Sequence, residues 1–377
     1  MRTATLAWTA PYGWDAPDAA ADADLVLYFG DRTTLADGAC HAALRAAAPG
    51  ALLLGCSAAG HLGPGGPAET GAVAAALRFE GTGLRLASRP VSGPADSVAA
   101  GAALGEALAA PDLAGILLLA DGLAVAGAAL AAGLSRAVGP GVPVTGGLAA
   151  DGEAFSRTLV AADAPARPGL VAALGFYGPR CRFGHALAGG WDGFGPLHRI
   201  TRAEHDEVME LDGEAALPVY AGSLGPDAAA LPGAGLRFPL LVWDPAAPGE
   251  AVVRSVLGVD RTRGSLRFAG TVPEGWRAQL LRFRQSRLEA AAATAARAAG
   301  RGGQGSLALL TSCIGRKLAP GAQASAEFAA IGAALGPLQR RIGFYAYGQF
   351  APHPAAGGAA LHNQSLVVTL LDEDVRC

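Results

Sequence analysis

A mixed α/β fold made of three strand–helix–strand–hairpin units, sheets inside and helices outside, is what this sequence predicts. Three observations carry the prediction. An apolar run, an alanine-rich helical stretch and a second apolar run ending in small residues follow one another in the same order three times. The glycines that close these runs are spaced alike: Gly30 to Gly55, Gly122 to Gly147 and Gly315 to Gly343 lie 25, 25 and 28 residues apart by subtraction. The apolar runs also lack polar alternation, as expected of strands covered on both faces.

The first unit opens with ADLVLYFG (23–30), continues through the helical stretch TTLADGACHAALRAA and returns in ALLLGCSAAG. AVAAALRFEG and LRLASRPV then read as a hairpin. The second unit opens with AGILLLADG (114–122) and a helix, LAVAGAALAAGLSRAVG, capped by Gly139. Its second strand is VPVTGGLAADG, and SRTLVAADAPARPGLVAALGFYG reads as a hairpin turning near Pro168-Gly169. The third has SLALLTSCIGR (306–316), the helix SAEFAAIGAALGPL, then IGFYAYGQF and LHNQSLVVTLL. Crossovers of this length join parallel neighbours. Between the second and third units lies an inserted α+β region, residues 186–300. It holds the short strand PLLVW, a hairpin turning at Arg261 to Gly264, and an arginine-rich stretch that ends as a helix at Gly300.

Composition narrows the function classes. Of 377 residues, 51% are hydrophobic and only 16% charged, so an ordered chain with a large core is expected. A net charge of −3 supplies no basic face for nucleic acid. The cysteines Cys40, Cys56, Cys181, Cys313 and Cys377 are odd in number and form no CxxC pair, which fits reduced thiols in the cytoplasm. Residues 113–135 are apolar enough to suggest a membrane helix, but Asp121-Gly122 interrupts them, and the unit pattern reads them as a strand and a helix. The N-terminal stretch has no apolar core for a signal peptide, so neither membrane nor export is expected.

In parallel units the loops after the strands gather at one edge, where ligands bind. That edge should collect Asp31, Cys56, Ser57, Asp121, Gly147, Asp151, Cys313, Arg316, Lys317, Tyr345, Tyr347 and Gln349 around one pocket. Arg316 and Lys317 could clamp a ligand carboxylate. Alternation places Tyr345, Tyr347 and Gln349 on one side of their strand. His362, Asn363 and Gln364 follow in LHNQS, the last two offering amide contacts. Asp121 and Asp151 serve either acid–base work or, preferably, the loop amides around them. Cys313, beside Arg316 and Lys317, has thiolate character in reach, with His362 or His353 as base. No phosphate-binding loop or dinucleotide fingerprint is present. For a haem, His61 and His198 are the better axial candidates, and no CxxCH attachment motif exists. Glu204-His205-Asp206 reads as a solvated turn.

GCSAAG, DGL, GGLAADGEAFSRT, GW-x-x-FGP, ELDGEAALPVY, SCIGR, GFYAYGQF and LHNQS occur in the order seen in FIST proteins, and on these motifs the chain resembles that family from about residue 23 to 372. The resemblance implies a FIST N-terminal domain over 23–215, holding two units, and a FIST C-terminal domain over 216–357, with the strand 361–371 closing the third unit. It implies a cytoplasmic sensory protein of bacterial signal transduction that binds a small ligand, amino acids being one class. Family members are coupled to histidine kinases, cyclic-dinucleotide enzymes or chemoreceptors. No such segment is attached here, so a separate partner is expected to read the signal. Some members bind haem and report nitric oxide, which is the alternative reading; a Cys313-dependent hydrolase or transferase is the second alternative. The chain departs from the family in carrying Gln349 where a glutamate is usual, which predicts weaker binding of cationic ligand groups.

Overall fold

The computed structural model describes residues 1–374 apart from 301, 304, 338 and 354–356, so Cys377 lies outside the described residues. The fold is mixed α+β. Three of its sheets are six-stranded. The first runs Val160–Ala162, Leu52–Ser57, Leu25–Gly30, Ala72–Arg78, Arg2–Thr9 and Gly13–Trp14 from edge to edge. The second runs Ala359–His362, Gln349–Pro352, Val144–Leu148, Leu113–Ala120, Leu170–Tyr177 and Gly83–Pro90. The third runs Cys181–Ala188, Leu366–Glu373, Leu307–Cys313, Arg340–Ala346, His61–Gly63 and Gly66–Ala68. Each centres on a parallel pair, with Gly30 opposite Ser57, Ala120 opposite Leu148 and Cys313 opposite Ala346.

The unbroken apolar runs have a direct cause. Leu25, Leu27 and Phe29 point into a core shared by all three sheets, together with Leu117, Leu119, Leu307 and Leu309. Phe29 stacks on Phe344 across that core, ring centroids 4.3 Å apart. Val26 and Tyr28, on the opposite face, pack with Cys40 and Leu44 of the helix Ala39–Ala47. The helices Ser97–Leu108 and Gly127–Val138 cover the second sheet in the same way, and Gln285–Ala298 and Ala324–Leu335 the third. The apolar stretch 113–135 thus resolves into the strand Leu113–Ala120 and most of the helix Gly127–Val138. Among the described residues no helix is long and apolar enough to cross a membrane.

The insert's expected hairpin forms, Val256–Asp260 pairing with Ser265–Phe268, but those expected in the first and second units do not. Ala72–Arg78 belongs to the first sheet and Gly83–Pro90 to the second, because the amides between them are held elsewhere: those of Glu80, Gly81 and Thr82 donate to the Glu373 carboxylate at 2.7–2.8 Å. Val160–Ala162 and Leu170–Tyr177 likewise separate into different sheets. The run IGFYAYGQF is two strands, not one: it bends at Tyr347-Gly348, where Tyr347 N–H donates to Leu148 O and Leu148 N–H to Gly348 O. As a result each sheet carries, beside its parallel pair, a short strand lent by another part of the chain. His61–Gly63 pairs with Arg340–Ala346, Val160–Ala162 with Leu52–Ser57, and Gln349–Pro352 with Val144–Leu148. The N- and C-terminal halves are therefore interleaved.

The inserted region is narrower than 186–300. An eight-stranded sheet spans Asp192 to Arg282, with its own core of Ile200, Leu211, Tyr220, Phe268 and Leu280. The flanking strand Cys181–Ala188 and helix Gln285–Ala298 belong to the third sheet's layer, joined through Ala188, Ala292 and Ala296. In the arginine-rich stretch, Arg284 and Arg287 both reach Asp192, at 2.7 and 2.8 Å.

Close approach of paired strands dictates glycine at two positions. A Cβ on Gly55 would sit 2.3 Å from Tyr28 O, and one on Gly146, whose φ is +130°, 2.0 Å from Leu118 O. Gly146→Ala combines a steric clash with backbone strain and is expected to cost about 3 kcal/mol or more, read as a fall in the urea midpoint at unchanged m-value. A loss below about 1 kcal/mol would show that the two strands have room to part.

Candidate functional site

The tips of the parallel strands do meet. Ala59 N–H donates to Tyr345 O (2.9 Å), Ala150 N–H to Ser57 O (2.9 Å) and Tyr347 N–H to Leu148 O (3.2 Å), so each tip is tied to another. Main-chain bonds and the buried alanines Ala58, Ala59, Ala149 and Ala150 fill the junction between them. A cavity of about 950 Å³ lies to one side. Its walls come from three places: Pro94, Gly122 and Val125–Ala129 of the second unit; Cys313, Ile314, Tyr347, Leu361 and Asn363 of the third; and His205, Asp206, Leu236, Ser255, Leu257 and Phe268–Thr271 of the insert.

Of the residues expected to form one pocket, Cys313, Tyr347 and Asn363 line this cavity. The others have structural tasks. Cys56 is in the common core, where burial pushes its thiol far up. Ser57 accepts from Leu159 N–H at 2.9 Å. Asp121 accepts from the amides of Leu123, Ala124 and Gly169 and from the Thr158 hydroxyl, so it holds its loop. Its counterpart is Asp31: each follows the first strand of its parallel pair, and Asp31 likewise accepts from Thr33, Thr34 and Gly71 N–H. Gly147 is a packing point, since a Cβ there would meet Thr311 Cγ2 at 2.7 Å.

Asp151 accepts from Ser156 N–H, Arg157 N–H and the Tyr347 hydroxyl. Burial alone would raise its carboxyl, but these bonds hold it below the usual range. Tyr347 is raised by burial and by its bond to Asp151, and its ring stacks on Phe155 at 4.4 Å and 8°. Tyr345 is buried against the Lys317 ammonium, 5.5 Å from its ring centre. The bend at Tyr347-Gly348 thus breaks the alternation that would have put Tyr345, Tyr347 and Gln349 on one side.

Arg316 and Lys317 form no carboxylate clamp for a ligand. Arg316, 1% exposed, donates to Glu327 through Nε at 2.9 Å and through Nη2, and its Nη1 donates to Gly189 O. Lys317 Nζ donates to Ala59 O and Glu69 Oε2, both at 2.6 Å. Cys313 is buried, and burial raises its thiol despite the opposing effect of nearby amides and Arg316. That direction is the reverse of what an activated nucleophile needs. His362 puts Nε2 3.3 Å from Ala351 O, and burial lowers it to about 4.

Neither haem candidate lines the cavity. His61 pairs with Phe344 and Ala68 inside the third sheet, and His198 binds Asp212 Oδ2 through Nδ1 at 2.7 Å in the insert. These two histidines therefore do not fit as axial ligands for a haem in this cavity. Among the described residues no group of three or more His, Cys, Asp or Glu could hold a metal ion.

With this geometry in view, two domain models account for most of the chain: the FIST N domain matches residues 24–214 and the FIST C domain residues 216–352. The chain belongs to the FIST family. FIST domains are associated with signal transduction and small-ligand sensing. A search of curated proteins gave no match. Among solved structures, the crystal structure of cyanuric acid hydrolase from A. caulinodans is similar at 11% identity over 99% of both chains, with a TM-score of 0.36, too distant to bear on chemistry.

Gln349 lies inside the protein and not on the cavity. It is wholly buried, and its carboxamide donates to the carbonyls of His362 (3.2 Å) and Ser365 (3.3 Å) while accepting from Cys313 N–H (3.2 Å). A carboxylate there would face two carbonyl oxygens without a proton to give. The cavity residues that sequence reading missed include those of the insert, Phe155, Leu123 and Val125–Ala129. His205-Asp206 is indeed a turn, with His205 at φ +54°, but it stands on the cavity wall. Phe155 (40% exposed), Leu123 (39%) and Leu257 (41%) are large apolar side chains left in solvent, and all three line this cavity.

Proposed function

We propose that this FIST chain is a small-ligand sensor whose ligand occupies the cavity between the second unit, the third unit and the insert. The observation that carries this reading is Asn363. It stands on the cavity wall, 3% exposed, and neither its Oδ1 nor its Nδ2 has a hydrogen-bond partner among the described residues. An unpartnered buried amide is costly, and such groups are rare outside sites with a task.

The arrangement also suggests how occupancy is reported. The insert touches the third unit through Gln364, whose left-handed backbone (φ +57°) lets its Nε2 donate to Leu236 O at 3.0 Å and Ser255 Oγ at 2.8 Å. Trp191, at the entry to the insert, donates Nε1 to Gln364 O at 2.7 Å. Leu236 and Ser255 are themselves cavity residues. A ligand held by both sides favours the closed placement of the insert and shifts the population toward it. A separate signalling partner, such as a histidine kinase, a cyclic-dinucleotide enzyme or a chemoreceptor, then reads that placement.

Native mass spectrometry of freshly purified protein is expected to show retained small-molecule mass, and Ala126→Trp, which fills the cavity, is expected to abolish it while the circular dichroism spectrum is kept. Retention undiminished in Ala126→Trp would place the ligand elsewhere and end this reading. The apolar lining, with no arginine or lysine among the described residues, favours a ligand less polar than a free amino acid.

A further inference from the structure

The chemistry of the cavity wall says more about the ligand than that it is small. We infer that the ligand is a neutral, apolar-bodied molecule carrying a hydrogen-bond donor and acceptor side by side, as in a lactam or imide; this rests on the cavity being the ligand site. Three observations lead there.

The first is the pair of unsatisfied atoms on Asn363. A carboxamide presents one acceptor and one donor in a single plane. The group that satisfies both at once offers the same pair reversed, which is the edge of a cis amide. Its neighbours differ in degree: Ser365 Oγ lies 3.0 Å from the Gln349 carboxamide, and Gln364 Nε2 has two acceptors, leaving only Gln364 Oε1 without a partner among the described residues. The second is charge. Among the described residues no arginine or lysine lines the cavity, and its ionisable members are His205, Asp206, Cys313 and Tyr347. The cations expected to serve a carboxylate are engaged with Glu327 and Glu69. A carboxylate ligand would lose its hydration with no fixed cation to replace it. The third is shape: Phe155, stacked on Tyr347, and Phe268 with Leu257 and Leu361 supply broad apolar walls against which a ring can lie.

Isothermal titration calorimetry at neutral pH tests this on the full chain. The probes are isoindolin-1-one, its N-methyl derivative, benzoate and naphthalene. Isoindolin-1-one is expected to bind, and N-methylation, which removes the donor, to weaken binding by about tenfold or more. Benzoate is expected to bind worst. Asn363→Leu is expected to bring the lactam and its N-methyl form within about twofold of each other. If Asn363→Leu does not fold, the comparison on the unaltered protein still decides. Equal binding of the lactam and its N-methyl form, or tighter binding of benzoate, overturns the inference. If naphthalene then still binds and Ala126→Trp blocks it, the cavity reading stands and only the ligand class falls. If no probe binds in a way that Ala126→Trp affects, both fall.

Discussion

Arg316→Ala is expected to destabilise the protein by about 3–5 kcal/mol, because it leaves the Glu327 carboxylate buried without its cation. Arg316 is among the largest side chains fully withdrawn from solvent, and Glu327 is 6% exposed. Removing the arginine also frees Gly189 O and leaves Glu327 only a 3.4 Å contact with the Ser312 hydroxyl. Glu327→Ala strands the opposite charge and is expected to cost as much. The double variant Arg316→Met/Glu327→Leu keeps volume and removes both charges, so it should recover most of the loss. Urea unfolding of the four proteins measures this. A ligand clamp would behave otherwise: Arg316→Ala would then weaken ligand binding while leaving the urea midpoint within about 1 kcal/mol of the unaltered protein.

These residues also show what was legible in the sequence. The long strands could be read, since Leu25–Gly30, Leu113–Ala120 and Leu307–Cys313 are apolar on both faces and their crossovers have the length a helix needs. The lent strands could not. His61–Gly63 and Val160–Ala162 have three residues each, too few to show a period, and their partners lie far along the chain. The same limit explains the hairpins: neighbouring strands in sequence are the natural pairing, and only the three-sheet packing sends them apart. At the site, motif order pointed to Cys313, Tyr347 and Asn363. Arg316 and Lys317 were misassigned because adjacency made them look like a free pair of cations. Their carboxylates, Glu327 and Glu69, stand 11 and 248 residues away in sequence. The cavity's third wall was invisible for another reason. The insert has its own sheet and core, and nothing in its sequence says which edge meets the strand tips.

Stability is expected to fall in two successive steps as pH drops, the first centred on His362 and the second on Glu373. His362 is lowered by burial from its ordinary 6.5 to about 4, so the fold holds it neutral. Its contribution is complete above pH 6.5. It is lost as pH falls toward 4, because the unfolded chain takes up the proton first. The loss amounts to about 3 kcal/mol. His41, His61 and His185 are also lowered by burial and act in the same direction, so the difference between the unaltered protein and His362→Gln isolates the His362 share. Glu373 follows. Burial would raise its carboxyl, but the amides of Glu80 and Gly81 and the Thr82 hydroxyl outweigh that and hold it at about 2 against an ordinary 4.5. Its contribution, again about 3 kcal/mol, is present above pH 4.5 and lost as pH falls toward 2. Urea midpoints measured from pH 8 to pH 2 should therefore decline first through the histidine window and then through the carboxylate window. His362→Gln should flatten the first decline and Glu373→Gln the second. A Glu373→Gln protein as acid-sensitive as the unaltered one would show that the loop at residues 80–82 is not held by this carboxylate. The loop is where Ala72–Arg78 and Gly83–Pro90 part into separate sheets, so Glu373→Gln is also expected to weaken protection of the Glu80, Gly81 and Thr82 amides in hydrogen exchange.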